Sequence, residues 1–321
     1  MSSEPPTLVF IPGSWHKPSC YSKVITLLQD NHHLRCVPVT NPSTTGDPNA
    51  TFKDDLDAAQ AAIAAETTKG RNVIVVAHSY GGIIGSSAIK GFARPKTTSN
   101  TNTANSNGYV VGFILIATGF AFTGLSFMDP FLGRPPPQWV VNKETGFADI
   151  VVDARQFFYH DLPRDEGEYW VSQLTPHSLK SLFEGGEYVY AGWQDVPNWY
   201  IGTIEDQGLP VVAQRMTVAM AREMGAKVEH RELQTSHSPF LSQPDEVAEI
   251  MVEAVESVMG RKLGERSSQH VEKSRIAVPA VRIFSPLSWF RFGLPSLFGR
   301  MIGRGILTFR FGRRVWRSIF G

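Results

Sequence analysis

Over the first 260 residues, short runs of apolar, often β-branched side chains take turns with longer segments in which apolar positions recur every three or four residues. The short runs have the length and composition of strands: Thr7 to Ile11, Leu34 to Val39, Val73 to Ala77, Val110 to Ala117, Asn198 to Thr203 and Lys227 to Leu233. The longer segments have the period of helices: Tyr21 to Gln29, the alanine-rich Phe52 to Glu66 with its acidic start, Val211 to Met224 and Pro244 to Met259. Near-continuous apolar strands suit a sheet buried on both sides. The alternation therefore predicts an α/β fold, a mostly parallel sheet covered by helices on both faces.

Two stretches break the rhythm. Arg94 to Gly108, RPKTTSNTNTANSNG, is polar and low in complexity, and reads as a disordered surface insertion without chemistry of its own. Phe120 to Val196 is too long for a loop and dense in aromatic residues, which predicts a helical cap, inserted after a central strand, closing over an apolar cavity. The expected partition is a core of residues 1–119 and 197–260, a cap of 120–196 and a tail of 261–321.

Composition narrows the class further. A chain of 321 residues, 42% of them hydrophobic, can bury one large core. The start, MSSEPPTLVF, lacks the basic and long apolar regions of a secretory signal. Cys20 and Cys36 are the only cysteines and form no CxxC or Cys/His cluster, so neither a disulfide framework nor a metal site is expected, and an intracellular, cytoplasmic location is. The net charge of +1 conceals a division: residues 1–260 carry 18 Lys and Arg against 28 Asp and Glu, whereas 261–321 carry 13 against 2. Such asymmetry marks a partner-seeking tail.

The third strand runs into Ala77-His78-Ser79-Tyr80-Gly81-Gly82, and the apolar positions Ile83, Ile84, Ala88 and Ile89 then take up a helical pattern. A serine on a strand-to-helix corner, with small residues two positions to either side, is held in a strained conformation that projects its Oγ above the sheet. Alanine stands here where such corners usually have their first glycine. A serine hydroxyl is a poor nucleophile near neutral pH, so an orienting carboxylate and a histidine base should follow along the chain. His237, on a loop after a strand and just before the last helix, is the candidate base; Asp206, just past the strand ending at Thr203, is the candidate acid. Glu205 and Asp129 are rival acids, and His16, His78, His160 and His177 could also approach the cavity. The amides of Tyr80 and of Ser14, in the Pro12-Gly13-Ser14-Trp15 loop, are the candidate oxyanion donors. Trp15, His16, Phe120, Trp139, Phe158 and Trp170 are candidate substrate contacts.

Ile11-Pro12-Gly13-Ser14-Trp15-His16, Ala77 to Gly82, Thr203 to Pro210 and Ser236-His237-Ser238-Pro239-Phe240, in this order, resemble the α/β-hydrolase superfamily, and within it the plant methylesterase and hydroxynitrile lyase group with its bacterial and fungal relatives. Phe158 to Pro163 and Leu174-Thr175-Pro176 resemble the cap of those microbial relatives. The similarity spans about residues 7 to 258 and leaves the tail unmatched. It implies an α/β-hydrolase fold, Ser79, Asp206 and His237 as a triad, and no cofactor. Two departures bear on chemistry. The family usually has His-Gly where this chain has Pro12-Gly13, and the lyases carry a lysine after the catalytic histidine where this chain has Ser238, which favours hydrolysis over cyanide release.

The expected function is that of a serine esterase acting through an acyl-enzyme on a small to medium, apolar or aromatic ester, such as a secondary metabolite. The alternatives are a hydroxynitrile lyase-like or other non-hydrolytic enzyme on the same triad, and a catalytically weak small-molecule receptor or scaffold. In the tail, no window approaches about 18 uncharged apolar residues, which excludes a spanning helix. Leu307, Phe311, Val315 and Ile319 form an i, i+4 row, with Arg310, Arg313, Arg314 and Arg317 on another side, a pattern suited to peripheral contact with an anionic membrane. A disordered basic tail, one packed on the acidic body, or a wrongly predicted gene end are the competing readings. No nucleic-acid module accompanies the arginines, so no nucleic-acid partner is expected.

Overall fold

The structure, a computed structural model, describes residues 4–95, 107–263, 275–282 and 284–320. In chain order the strands are β1 (Thr7–Ile11), β2 (Cys36–Pro38), β3 (Val73–His78), β4 (Val110–Ile116), β5 (Trp139–Asn142), β6 (Phe147–Ile150), β7 (Asn198–Thr203) and β8 (Val228–Leu233). The helices are α1 (Ser22–His32), α2 (Phe52–Thr67), α3 (Gly81–Ala88), α4 (Ala154–Tyr159), α5 (Arg164–Ser172), α6 (Leu179–Phe183), α7 (Val211–Glu223), α8 (Pro239–Ser242), α9 (Pro244–Met259), α10 (Pro286–Ser288) and α11 (Leu294–Phe320). Six strands pair in parallel in the order β2-β1-β3-β4-β7-β8. Every residue of β1, β3 and β7 is buried, which explains why these strands read as apolar runs rather than as alternating ones.

The order of the strands places the site. From β1 the chain steps outward to β2, then returns across β1 to β3 and continues one way to β8. Crossovers between parallel strands are right-handed, so this reversal puts α1 and α2 on opposite faces. Consistently, α1 packs with α9, and α2 with α3. The carboxyl ends of β1 and β3 flank the point of reversal, where the loops leaving the strands diverge and a crevice opens. Ser79 follows β3 directly. Helix α2 is anchored by a capping box in which Thr51 Oγ1 accepts from the Asp54 amide and Asp54 Oδ2 accepts from the Thr51 amide at 2.8 Å. That anchoring fixes Asp55, whose carboxylate accepts from the Tyr80 hydroxyl at 2.8 Å and so braces the residue after Ser79 from below.

Between β4 and β7 the chain builds the short helices α4 to α6, as expected, together with an antiparallel hairpin of β5 and β6 that the composition does not predict. The hairpin turns through Gly146 at φ 77°. Its inner strand is tied to the loop after β1, where Trp15 Nε1 donates to the Ala148 carbonyl at 2.8 Å. Of the polar insertion expected at Arg94 to Gly108, residues 96–106 lie outside the described residues. Part of the described tail lies on the body. Ala277 exchanges two backbone hydrogen bonds with Glu232 and so covers part of the open edge of β8, after which α11 runs along α7.

Candidate active site

Ser79 sits at the corner between β3 and α3 with φ 51°, in the left-handed region that non-glycine residues rarely enter. The strain is sustained from several sides. Its amide donates to the Ile116 carbonyl (3.1 Å), its carbonyl accepts from Thr118 Oγ1 (2.6 Å) and from the Gly82 amide (2.9 Å). The small residues beside it are sterically required. A Cβ on Gly81 would stand 2.6 Å from the carbonyl oxygens of both Ile11 and Pro12, and one on Gly82 would collide with the Thr118 side chain. Ala77 replaces the usual glycine because Gly85 of α3 passes over it, where a Cβ would lie 3.0 Å from the alanine methyl. Positive φ recurs at Trp15 (61°) and Ala117 (47°), just past the ends of β1 and β4, so backbone strain gathers around the serine.

His237 lies beside this corner. Its backbone carbonyl accepts from His78 Nε2 at 2.9 Å, with the two rings 4.6 Å apart. Its Nδ1 meets Asp206 Oδ2 at 2.8 Å. Asp206 is buried and fully engaged: Oδ1 accepts from the amides of Gly208 (2.7 Å) and Leu209 (2.8 Å), and Oδ2 also accepts from Thr203 Oγ1 (2.7 Å) and Gln214 Nε2 (3.1 Å). Burial alone would raise its pKa, but the facing charge of His237 and these hydrogen bonds outweigh that and hold the carboxyl below its ordinary value. Asp206 is therefore a carboxylate placed to accept from His237 Nδ1, an arrangement that leaves the Nε2 edge of the ring for another partner. No hydrogen bond joins Ser79 Oγ to His237 in this structure.

Residues 8–250 match the profile of the Alpha/beta hydrolase family. The chain belongs to that family. It is 26% identical over 252 residues to the alpha/beta hydrolase nvfD of Aspergillus novofumigatus, covering 77% of this chain and 95% of that one, and 25% identical over 260 residues to the probable hydrolase R7 of a Phoma species, covering 77% and 97%. Among solved structures it shares its fold with polyneuridine aldehyde esterase (TM-score 0.59, 18% identity, 78% of this chain and 99% of that one) and with tomato methylketone synthase I (TM-score 0.60, 13% identity, 79% and 99%).

In this hydrolase the loop after β1 lies against the serine: a Cβ on Gly13 would come within 2.9 Å of Ser79 Cβ and of His78 Nδ1. The adjoining His16 is buried and neutral. Its Nδ1 donates to the Ser14 carbonyl (2.6 Å) and its Nε2 accepts from the Tyr159 hydroxyl (2.8 Å), while desolvation lowers its pKa to about 4. His78 is likewise kept neutral by burial, with Nε2 carrying the proton. Cap and core are latched behind His237, where the Ser236 amide donates to Asp161 Oδ2 (2.9 Å) and Ser236 Oγ to the Phe158 carbonyl (2.8 Å).

Four of the six candidate substrate contacts gather here. Trp15 packs against Trp139 (6.1 Å) and Phe158 (6.0 Å), and Phe158 also packs against His16 (5.1 Å) and His237 (5.9 Å). Phe120 instead packs on Trp193 and Tyr200, and Trp170 on Tyr169, with its indole donating to Glu166. The rival acids are engaged elsewhere: Glu205 accepts from Gln234 and faces His160 at 3.6 Å, and Asp129 accepts from the Ser126 amide. His177 accepts from or donates to Ser181 and packs against Trp15 and Tyr80. Sequence reasoning misses Gln214, which hydrogen-bonds Asp206, Thr203 and Leu209 from the first turn of α7. Only its place four residues after Pro210 could have pointed to it.

Proposed function

We propose that this protein is a carboxylic ester hydrolase in which Ser79 is the nucleophile, His237 the general base and Asp206 the residue that orients and charges it. One observation carries the reading: a serine forced into a left-handed corner stands beside an imidazole whose tautomer is fixed by a buried carboxylate accepting five hydrogen bonds. Ser79 Oγ attacks the ester carbonyl carbon as its proton passes to His237 Nε2. The tetrahedral oxyanion is held by the amides of Tyr80, at the start of α3 where amides lack partners within the helix, and of Ser14 in the loop facing the serine. Collapse expels the alcohol, which takes the proton back from His237 Nε2 and leaves an acyl group on Ser79. Water, deprotonated by the same nitrogen, attacks the acyl carbon and releases the acid with Ser79 Oγ reprotonated. Hydrogen bonds of unliganded sites commonly tighten only with substrate bound, which accounts for the open Ser79 to His237 contact.

Trp15, Trp139 and Phe158 favour an apolar or aromatic acyl or alcohol group, and structural neighbours named an esterase and a pyrethroid hydrolase support an ester substrate. Lyase chemistry gains nothing from Ser238, a buried neutral hydroxyl at the position after the base. The test is steady-state hydrolysis of aryl esters of graded acyl length. Ser79→Ala should lower kcat/KM by at least about 10,000-fold, and Asp206→Asn by about 1,000-fold or more with KM little changed. Turnover persisting in Ser79→Ala would refute the assignment.

A further inference from the structure

Helix α11 is mounted on the body with its apolar side chains turned outward, the reverse of a helix that packs to bury them. The residues facing α7 are small. Gly299 lies on the Met216 carbonyl and the Ala219 methyl, and Gly303 on the Met220 carbonyl and Glu223, so closely that a Cβ on Gly299 would strike the Met216 backbone. The large residues stand in solvent instead: Leu294, Leu297, Phe298, Met301 and Ile302 are each between 43% and 59% exposed. Burying such side chains is favourable, and along this helix five of them are left largely exposed by the described residues of the chain.

The second half of the helix shows the chemistry of that partner. Arg304 meets Glu223, the last residue of α7, at 2.7 Å. Beyond it α11 continues past the end of α7, and every described position from Leu307 to Arg313 is exposed, Phe309 at 70% and Phe311 at 66%. Arg310 and Arg313 prolong, at steps of four and three residues, the row begun by Gly299, Gly303 and Ile306. The face that meets the body in the first half thus bears arginine in the second, and the apolar side chains spread over the faces turned away from it. Residues 275–320 contain nine arginines and no lysine, aspartate or glutamate. Among the described residues no helix is long and apolar enough to cross a membrane.

We propose that residues 284–313 are a docking surface for an anionic lipid membrane. The apolar side chains of α11 enter the headgroup layer, Arg310 and Arg313 lie at the level of the lipid phosphates, and the hydrolase body sits on the same side as the arginine row. A lipid surface satisfies both halves of the pattern at once. A second copy of the chain would set arginine-rich helices against each other, and a nucleic acid would leave the apolar side chains in water. The proposal is independent of the ester-hydrolase reading.

The test is co-sedimentation of the purified full-length protein with phosphatidylcholine vesicles, with and without phosphatidylserine. The wild type should sediment with the anionic vesicles, less so as salt is raised. Leu297→Glu/Met301→Glu, on the side away from α7, should weaken vesicle binding by about tenfold or more at an unchanged unfolding midpoint. Arg310→Glu/Arg313→Glu should abolish the preference for phosphatidylserine. Phe309→Glu, beyond the end of α7, replaces the first pair if that pair lowers the midpoint. The proposal is overturned by a wild type that binds neither vesicle, by binding indifferent to these substitutions, by a dimer that Leu297→Glu/Met301→Glu dissociates, or by the protein taking up an RNA oligonucleotide in place of vesicles.

Discussion

Ser79 owes its position to atoms that have no room to move. Gly81 sits against the Ile11 and Pro12 carbonyls, so a methyl there must displace the very loop that carries Ser14. Gly81→Ala should therefore leave the protein folded but lower kcat by about 100-fold, since misplacing a catalytic group by an ångström costs about that much, and kinetics with a crystal structure of the variant would check it. At this scale the sequence was readable where chemistry and chain order coincide. Ser79 follows its strand, Asp206 follows the next-to-last strand and His237 follows the last, and the structure brings Asp206 rather than Glu205 or Asp129 to the imidazole. What was not legible is the support. Gln214, Thr118 and the backbone-binding role of His78 depend on which loops meet in space, and no local pattern in the sequence records that.

Among the elements, the core strands and helices were legible because apolar periodicity reports burial directly. Thr7–Ile11, Asn198–Thr203 and Pro244–Met259 have the bounds their pattern predicts, and the other core elements differ by one to a few residues at their ends. The hairpin of β5 and β6 was not, since Trp139–Asn142 and Phe147–Ile150 are too short to show a period and their pairing is fixed by the turn at Gly146 and by Trp15. Nor does the helical row of the tail disclose that glycines, rather than leucines, would face the body. Besides the packing of α11 on α7, the tail is tied at Arg215, whose guanidinium pairs with buried Glu232 (2.7 and 2.8 Å), donates to the Arg291 carbonyl (3.0 Å) and lies 4.3 Å from the Phe292 ring. Arg215→Met should destabilise the protein by about 3–5 kcal/mol in denaturant unfolding, because it leaves the buried Glu232 carboxyl without its guanidinium, and adding Glu232→Gln should restore part of the loss.

For the molecule as a whole, burial of four imidazoles sets the acid limit. Desolvation lowers His16 to about 4 and His177 and His230 each to about 3 from an ordinary 6.5, and holds His78 well below that value. A group depressed in the folded state contributes stability that is present above its unfolded pKa and is lost as pH falls through the folded one. Asp55, raised by burial to about 6, acts in the opposite sense, but it is one group against four. The thermal midpoint should therefore be level with respect to these groups above about pH 6.5 and fall steadily toward pH 4, each histidine contributing up to about 1.4 kcal/mol per pH unit. His177→Gln, which cannot titrate there, should lessen the slope in a series of melting curves.

On the proposed mechanism one hydroxyl among all those of the chain, that of Ser79, is made a nucleophile by the imidazole and carboxylate beside it. Treating the purified protein with a fluorophosphonate and mapping the adduct by mass spectrometry measures this directly. One adduct, on the peptide containing Ser79, absent in Ser79→Ala and formed far more slowly in Asp206→Asn, is the predicted result; a folded protein that gains no adduct, or gains it at another residue, contradicts the account.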